Sequence, residues 1–390
     1  MGKIFDFDIK ETVQSKSFYP SERRKKTDAD TPVNELLLNE KSGEWVHLWQ
    51  QYGGHEECFK SYLDEENMFS EFQSFYSDFF KLSFDYLESK LDQLSKQCDL
   101  SMICDIANLK KNIMSYIQEH VGYLGIRALI QDINEEREKG RLEGENPGER
   151  YEYYVNHLLS TKEKRLEILC QYPVLTRVLC EFILNHIDSI TEAVMRFLND
   201  RKVIFEKFDF QGEDKLASLS LQLGDSHNDG RSVMVFHFES NKKIVYKPRS
   251  LSVDLHFQEL LHWINNKGGC RNLRTLKILS KNEYGWQEYV EYKPCQSNSE
   301  ISRFYERQGE YIAILYLLNA TDFHFENLIA CGEHPVLIDL EGLVQNTAKD
   351  LQDESSAYNI AFNKLIDSVL ATGMLPVTYI KSSILGFDIS

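Results

Sequence analysis

The apolar period of the chain changes once, near residue 215, and that change limits the folds open to it. Upstream, from about residue 33 to 198, apolar residues recur three and four apart, as in "FSEFQSFYSDFFKLSFDYLESKLDQL" (69–94). That spacing puts them on one face of a helix, and the aromatic stripe is expected to be core rather than a peptide-binding face. Downstream, "ASLSLQLGD" (217–225), "SVMVFHFES" (232–240) and "KKIVYKP" (242–248) alternate apolar with polar residues. Period two is that of half-buried strands, and Ser240-Asn241 supplies a polar turn between the last two. The spacing then predicts a helix over "VDLHFQELLHWIN" (253–265), a strand pair within "LKILSKNEYGWQEYVEY" (276–292) and a helix over "ISRFYERQGEYIAILYLLN" (301–319). Helices first and a strand-helix mixture afterwards make an α+β chain, here divided into a mainly helical region over 1–210 and a mixed region over 211–390. "EGENPGER" (143–150) interrupts the helical part with two glycines and a proline.

Composition removes several classes of function. The sequence has 390 residues, 42% of them hydrophobic, enough for a sizeable core. A net charge of −17 and a pI near 5.2 exclude a nonspecific nucleic-acid binder, which needs a clustered basic face. The one dense basic run, Arg23 to Lys26, lies in a polar stretch and reads as a solvated loop. Eight cysteines are scattered without a CxxC pair, which points to reduced thiols and a cytoplasmic setting. Cys331-Gly-Glu-His334 has a ligand-like gap but reads as a turn between strands. The N-terminus lacks the apolar core of a signal peptide, no window has the apolar length of a membrane helix, and Asp6 stands where a myristoylation motif wants Ser or Thr.

The stretch "NATDFHFENLIACGEHPVLIDLEGL" (319–343) carries the chemistry. Phosphoryl transfer needs a lysine on the nucleotide phosphates, magnesium, and a base beside the acceptor hydroxyl. Kinases place the base five residues before a metal-binding asparagine, as in D-x-x-x-x-N, and a second metal-binding aspartate follows after a short strand. Asp322 and Asn327 have that spacing, and Asp339 follows twelve residues later, after the apolar "PVLI". Lys247 ends an upstream strand, where it is placed either for phosphates or simply on the surface. Each piece alone is weak; their order is what favours a nucleotide site. The chain departs from protein kinases: Ala320-Thr321 replace His-Arg, Asp339-Leu340-Glu341 replaces Asp-Phe-Gly, and there is no G-x-G-x-x-G loop. Gly224 and Gly230 in "LGDSHNDGRSV" (223–233) suit a phosphate-approaching loop or a tight hairpin equally.

"LGDSHNDGRSV", "KIVYKPRSLSVD", "NATDFHFENLIA" and "HPVLIDLEGL", in this order, resemble the dehydratase domain of class II lanthipeptide synthetases, the LanM family. The resemblance covers at least residues 140–390, since "GENPGERYEYYV" also resembles a family segment. It implies a lipid-kinase-like fold and a two-step lantibiotic-forming reaction on a ribosomal, leader-bearing precursor peptide. Ser and Thr would be phosphorylated with ATP and Mg2+, and the phosphate then eliminated to give dehydroalanine and dehydrobutyrine. Residue by residue, it implies that Lys247 binds ATP phosphates, with Arg249 either a further phosphate contact or an exposed cation. Asp322 and His324 would activate the acceptor hydroxyl, although His324 also suits a hydrogen-bonded core position. Asn327 and Asp339 would hold magnesium with Glu341 as a neighbour, while Asp225 would act in elimination assisted by His227.

Family members are much longer and continue into further dehydratase residues and a zinc-bearing cyclase domain. This sequence ends at "SSILGFDIS", so the expectation is a truncated or split synthetase with an incomplete helical C-lobe, not fully active alone; in the split case a second polypeptide would carry the missing dehydratase and cyclase parts. Two other classes stay open at this point: a small-molecule or lipid kinase, and a non-catalytic peptide-binding fragment.

Overall fold

The computed structural model describes residues 69–221, 230–343, 357–376, 378–380 and 386–388, so Asp225 and His227 lie outside the described residues. The chain divides into two compact units, Met1–Asp200 with Glu213–Lys242, and Arg201–Gly212 with Lys243–Ser390.

In the first unit the helical period gives α1 (Gln73–Ser95), α2 (Ile106–Glu138), α3 (Pro147–Tyr153), α4 (Lys162–Gln171) and α5 (Pro173–Lys207), the last running on into the second unit. Their ends follow local chemistry. Asp105 and Thr161 cap α2 and α4 by accepting from Asn108 N and Lys164 N, which satisfies backbone donors that have no partner in the first turn. The break expected over 143–150 is the gap between α2 and α3, where Asn146 caps and Pro147 opens the first turn. The aromatic stripe of α1 is core: Phe75, Tyr76, Phe79 and Phe80 are each at most 1% exposed. α2 can approach it closely because Gly125 faces Tyr76; a Cβ there would lie 2.7 Å from the tyrosine hydroxyl. Deeper in the unit, the Lys164 ammonium sits 2.9 Å from Asp132 and 2.8 Å from Glu136, and the Tyr154 hydroxyl donates to Asp132. Three buried ionised groups are tolerated there because each is paired.

β1 (Leu216–Ser220) and β2 (Met234–Phe238) also belong to the first unit and pair antiparallel, with Phe236 and Phe238 packed on Phe197 of α5. A turn at Asn241, whose φ is 64°, closes with Phe238 N donating to Lys242 O.

The second unit contains β3 (Lys243–Lys247), α6 (Ser252–Lys267), β4 (Ile278–Ser280), β5 (Gly285–Glu288) and α7 (Asn298–Leu317). After them come the hairpin β6 (Leu328–Cys331) and β7 (His334–Leu337), α8 (Ala357–Ile366), and a last antiparallel pair, β8 (Thr378–Ile380) with β9 (Gly386–Asp388). β5 lies between β3 and β4, antiparallel to both, with Tyr246 opposite the buried Trp286. One apolar cluster joins Phe257 and Leu261 of α6, Tyr311 and Leu315 of α7, Phe323, Leu337 and Met374. Cys331 and His334 bound the β6–β7 turn, as expected, with Gly332 at φ 59°. Every pair of named strands described is antiparallel, so the α+β expectation holds; no helix among the described residues is long and apolar enough to cross a membrane.

Candidate functional site

The second unit brings seven of the nine predicted site residues to one end of the β6–β7 hairpin. Leu328 pairs with Leu337, and Ile338 N donates to Asn327 O at 3.0 Å. The register therefore sets Asn327 one residue from Asp339, across the hairpin's open end. Lys247, the last residue of β3, donates its ammonium to the Ile338 carbonyl, next to Asp339. The lysine is 6% exposed, which settles the choice left open by the sequence against a surface position.

Beneath these groups lies Asp254, 1% exposed, which the sequence reading did not single out. Its Oδ1 is 3.6 Å from Lys247 Nζ, and its Oδ2 accepts from Arg249 Nη1 at 2.7 Å. Its only sequence signal was an acid in the first turn of α6, a position common for ordinary helix stabilisation. Arg249 also reaches Asp339 Oδ1 at 3.2 Å and Glu341 Oε1 at 2.7 Å, so this cation bridges three carboxylates. Burial opposes its charge, yet Asp254 first and then Asp339 and Glu341 hold its proton more tightly than usual. For Lys247 the balance is reversed: burial pulls the ammonium below its ordinary value, and Asp254 only partly restores it.

The loop from Asn319 to Asn327 is fixed by hydrogen bonds to the backbone. α7 ends as its chain turns at Asn319, φ 55°, with Ala320 N donating to Leu315 O. Asp322 has φ 70°, a left-handed conformation that aspartate adopts more readily than most residues and that is held here by its surroundings. Phe323 N donates to Thr372 O at 2.9 Å, Thr321 N to Gly342 O at 3.0 Å, and Asn327 Nδ2 to Asp322 O at 2.7 Å. His324 is not in the core. It caps the following 3-10 turn through Nδ1, which accepts from Glu326 N, and its Nε2 is 3.5 Å from Asp322 Oδ1. That pair sets an exposed carboxylate beside an imidazole.

Among the described residues no three His, Cys, Asp or Glu side chains group to hold a metal unaided. The oxygen donors that remain are Asp339 Oδ2, the Asn327 amide oxygen and Glu341 Oε2, with Asp339 Oδ1 shared between Arg249 and Glu341 N and Glu341 Oε1 paired with Arg249. Such a sparse set of hard oxygen donors fits a magnesium ion that takes its other ligands from phosphate and water.

Gly342 sets the approach of the two loops, a requirement absent from the sequence pattern. A Cβ at this position would lie 2.1 Å from Thr321 O, which is backbone. Gly342→Ala is therefore expected to break the Thr321 N to Gly342 O bond and destabilise the unit by about 1–3 kcal/mol, the usual cost of overpacking. Urea denaturation checks this; a midpoint equal to the parent's would refute the close packing.

Two comparisons with known proteins bear on this site. A family model described as a domain of unknown function, DUF4135, matches residues 172–390, which include the whole second-unit site. The lacticin 481/lactococcin biosynthesis protein LcnDR2 of Lactococcus lactis subsp. lactis is 33% identical over 309 residues, covering 76% of this chain and 32% of that protein. The chain thus spans about a third of this relative's length.

Proposed function

This chain belongs to the LanM family of class II lanthipeptide synthetases, and on that premise we propose that it phosphorylates Ser and Thr of a leader-bearing precursor peptide and takes part in eliminating the phosphate, as a step in lantibiotic biosynthesis. The observation that carries the proposal is the convergence of Lys247, Asp322, Asn327 and Asp339 on one end of the β6–β7 hairpin. Those are the residue types that phosphoryl transfer needs, in the order a kinase uses.

Bound Mg-ATP would supply the phosphoryl group and neutralise the charge that spreads over its oxygens. Asn327 and Asp339 would ligate the metal, with Glu341 beside them. The Lys247 ammonium, held at the Ile338 carbonyl, would bind phosphate oxygens. Arg249 would fix the Asp339 carboxylate in place, and it has room in its fork for a phosphate contact only by loosening one carboxylate. Asp322 would accept the hydroxyl proton of the acceptor, oriented by its neighbour His324. Asp225 and His227, at the positions matching the family's Gly-Asp-x-His segment, would serve the elimination step.

Mass spectrometry of a class II precursor peptide incubated with the chain, ATP and magnesium tests this. A gain of phosphate without loss of water is expected for the chain alone, absent with Asp322→Asn; when the remaining portion of a synthetase is supplied, the parent is expected to go on to net loss of water, and Asp225→Asn to accumulate phosphopeptide instead. Transfer to a small hydroxyl compound with no dependence on the leader would overturn the peptide assignment.

A further inference from the structure

We propose that Arg249 sets the metal selectivity of this site: by holding one oxygen of Asp339 and one of Glu341, it leaves each carboxylate a single oxygen to offer, which suits magnesium and disfavours calcium. The inference rests on the phosphoryl-transfer site proposed above and goes beyond it by assigning a residue that chooses between two divalent cations.

Each of the three groups that would ligate the metal is held by its other half. Asn327 donates Nδ2 to Asp322 O at 2.7 Å, which leaves its amide oxygen. Asp339 Oδ1 accepts from Arg249 Nη2 and from Glu341 N, both at 3.2 Å, which leaves Oδ2. Glu341 Oε1 pairs with Arg249 Nε at 2.7 Å, which leaves Oε2. One guanidinium therefore occupies an oxygen of both carboxylates. Its own place is set from beneath by Asp254, 1% exposed, whose Oδ2 accepts from Nη1 at 2.7 Å and whose Oδ1 accepts from Nη2 at 3.4 Å. Nη1 also donates to the Ser250 carbonyl at 3.2 Å. A planar fork committed to a buried carboxylate keeps its direction when the two exposed carboxylates gain a cation, whereas an ammonium on a flexible stem would not.

The supply of oxygens decides between the ions. Calcium collects about six to eight oxygens and commonly takes both oxygens of a carboxylate, whereas magnesium is smaller, sheds water reluctantly and is satisfied by one or two carboxylates beside phosphate and water. Single oxygens from Asn327, Asp339 and Glu341 serve the second ion and leave the first short of ligands. Freeing Asp339 Oδ1 and Glu341 Oε1 from Arg249 would let both carboxylates chelate, which favours calcium. The other task open to Arg249, a phosphate contact, has a different signature. A cation on phosphate oxygens acts alike on the magnesium and calcium complexes of a nucleotide, so its loss would weaken both and leave their ratio unchanged.

The test is a calorimetric titration of the full chain, in parallel, with the magnesium and the calcium complexes of a non-hydrolysable ATP analogue, so that no turnover is needed. The parent is expected to bind the magnesium complex about tenfold more tightly, the size of effect usual for groups that orient metal ligands. Arg249→Met should remove most of that preference, with calcium gaining on magnesium. Arg249→Lys keeps a charge beside Asp254 and so guards the fold, which its urea midpoint checks; one ammonium cannot grip three carboxylates as a fork does, so its ratio should lie between the other two. If Arg249→Met does not fold, the ratio in Arg249→Lys decides alone. A ratio equal to the parent's in the folded variants, or a parent that does not prefer magnesium, overturns the inference and leaves the nucleotide site standing. Failure of the parent to bind either complex overturns the nucleotide site and the inference with it.

Discussion

Asp339→Asn is expected to lower the rate of phosphoryl transfer by about 10²–10³-fold, the size of effect seen when one preorganised charge-stabilising group is removed from a reacting centre. The same variant should show sharply weakened Mg-ATP binding in a calorimetric titration, because magnesium held by so few protein oxygens depends on its carboxylate. Its fold should persist. The Asp339 side chain is 45% exposed, and Arg249 keeps its contacts to Asp254 and Glu341 when the Asp339 charge is gone. Unchanged affinity for Mg-ATP would move the metal site away from the hairpin end and take the assignment of Asn327 with it.

Asp254→Asn should have the largest effect on stability, a loss of about 3–5 kcal/mol, because it strips the buried partner from a buried cation. Lys247 is 6% exposed and Asp254 1%, so solvent cannot take the place of the lost charge. Adding Lys247→Met to Asp254→Asn should recover part of that loss, since the unpaired charge is then gone as well. A double variant as unstable as the sum of the two singles would rule out coupling between these residues. Lys247 also gives a pH signature. Its proton is held less tightly folded than unfolded, so just below 10.5 the unfolded chain binds more protons than the folded one. The stability of the parent relative to Lys247→Met should therefore rise with pH through that interval, and denaturant midpoints that fall instead would reverse the sign of the burial effect.

Local signals made most of the elements legible. The change of period marked where helices give way to strands, and the turn at Asn241, the break at Asn146-Pro147 and the β6–β7 turn were written in residues with strong backbone preferences of their own. The spacing of Asp322, Asn327 and Asp339 was legible for a related reason: a short loop and one hairpin join them, so distance along the chain nearly fixes distance in space. Burial of Lys247 was not. A lysine ending an alternating strand looks the same whether its ammonium meets water or the carbonyl of Ile338, 91 residues on.

The sequence by itself determined the element types, the β6–β7 turn and the spacing of Asp322, Asn327 and Asp339, because each follows from neighbours a few positions apart. Tertiary structure decided that β1 and β2 sit with the helical unit, that Asp254 lies beneath Lys247 and Arg249, and that Gly342 must lack a side chain to let Thr321 approach. It also sent Phe323 inward and Phe325 outward, although both flank the same histidine. These outcomes depend on which surfaces meet after the chain has folded, and packing between segments far apart in sequence leaves no period or motif in either segment alone.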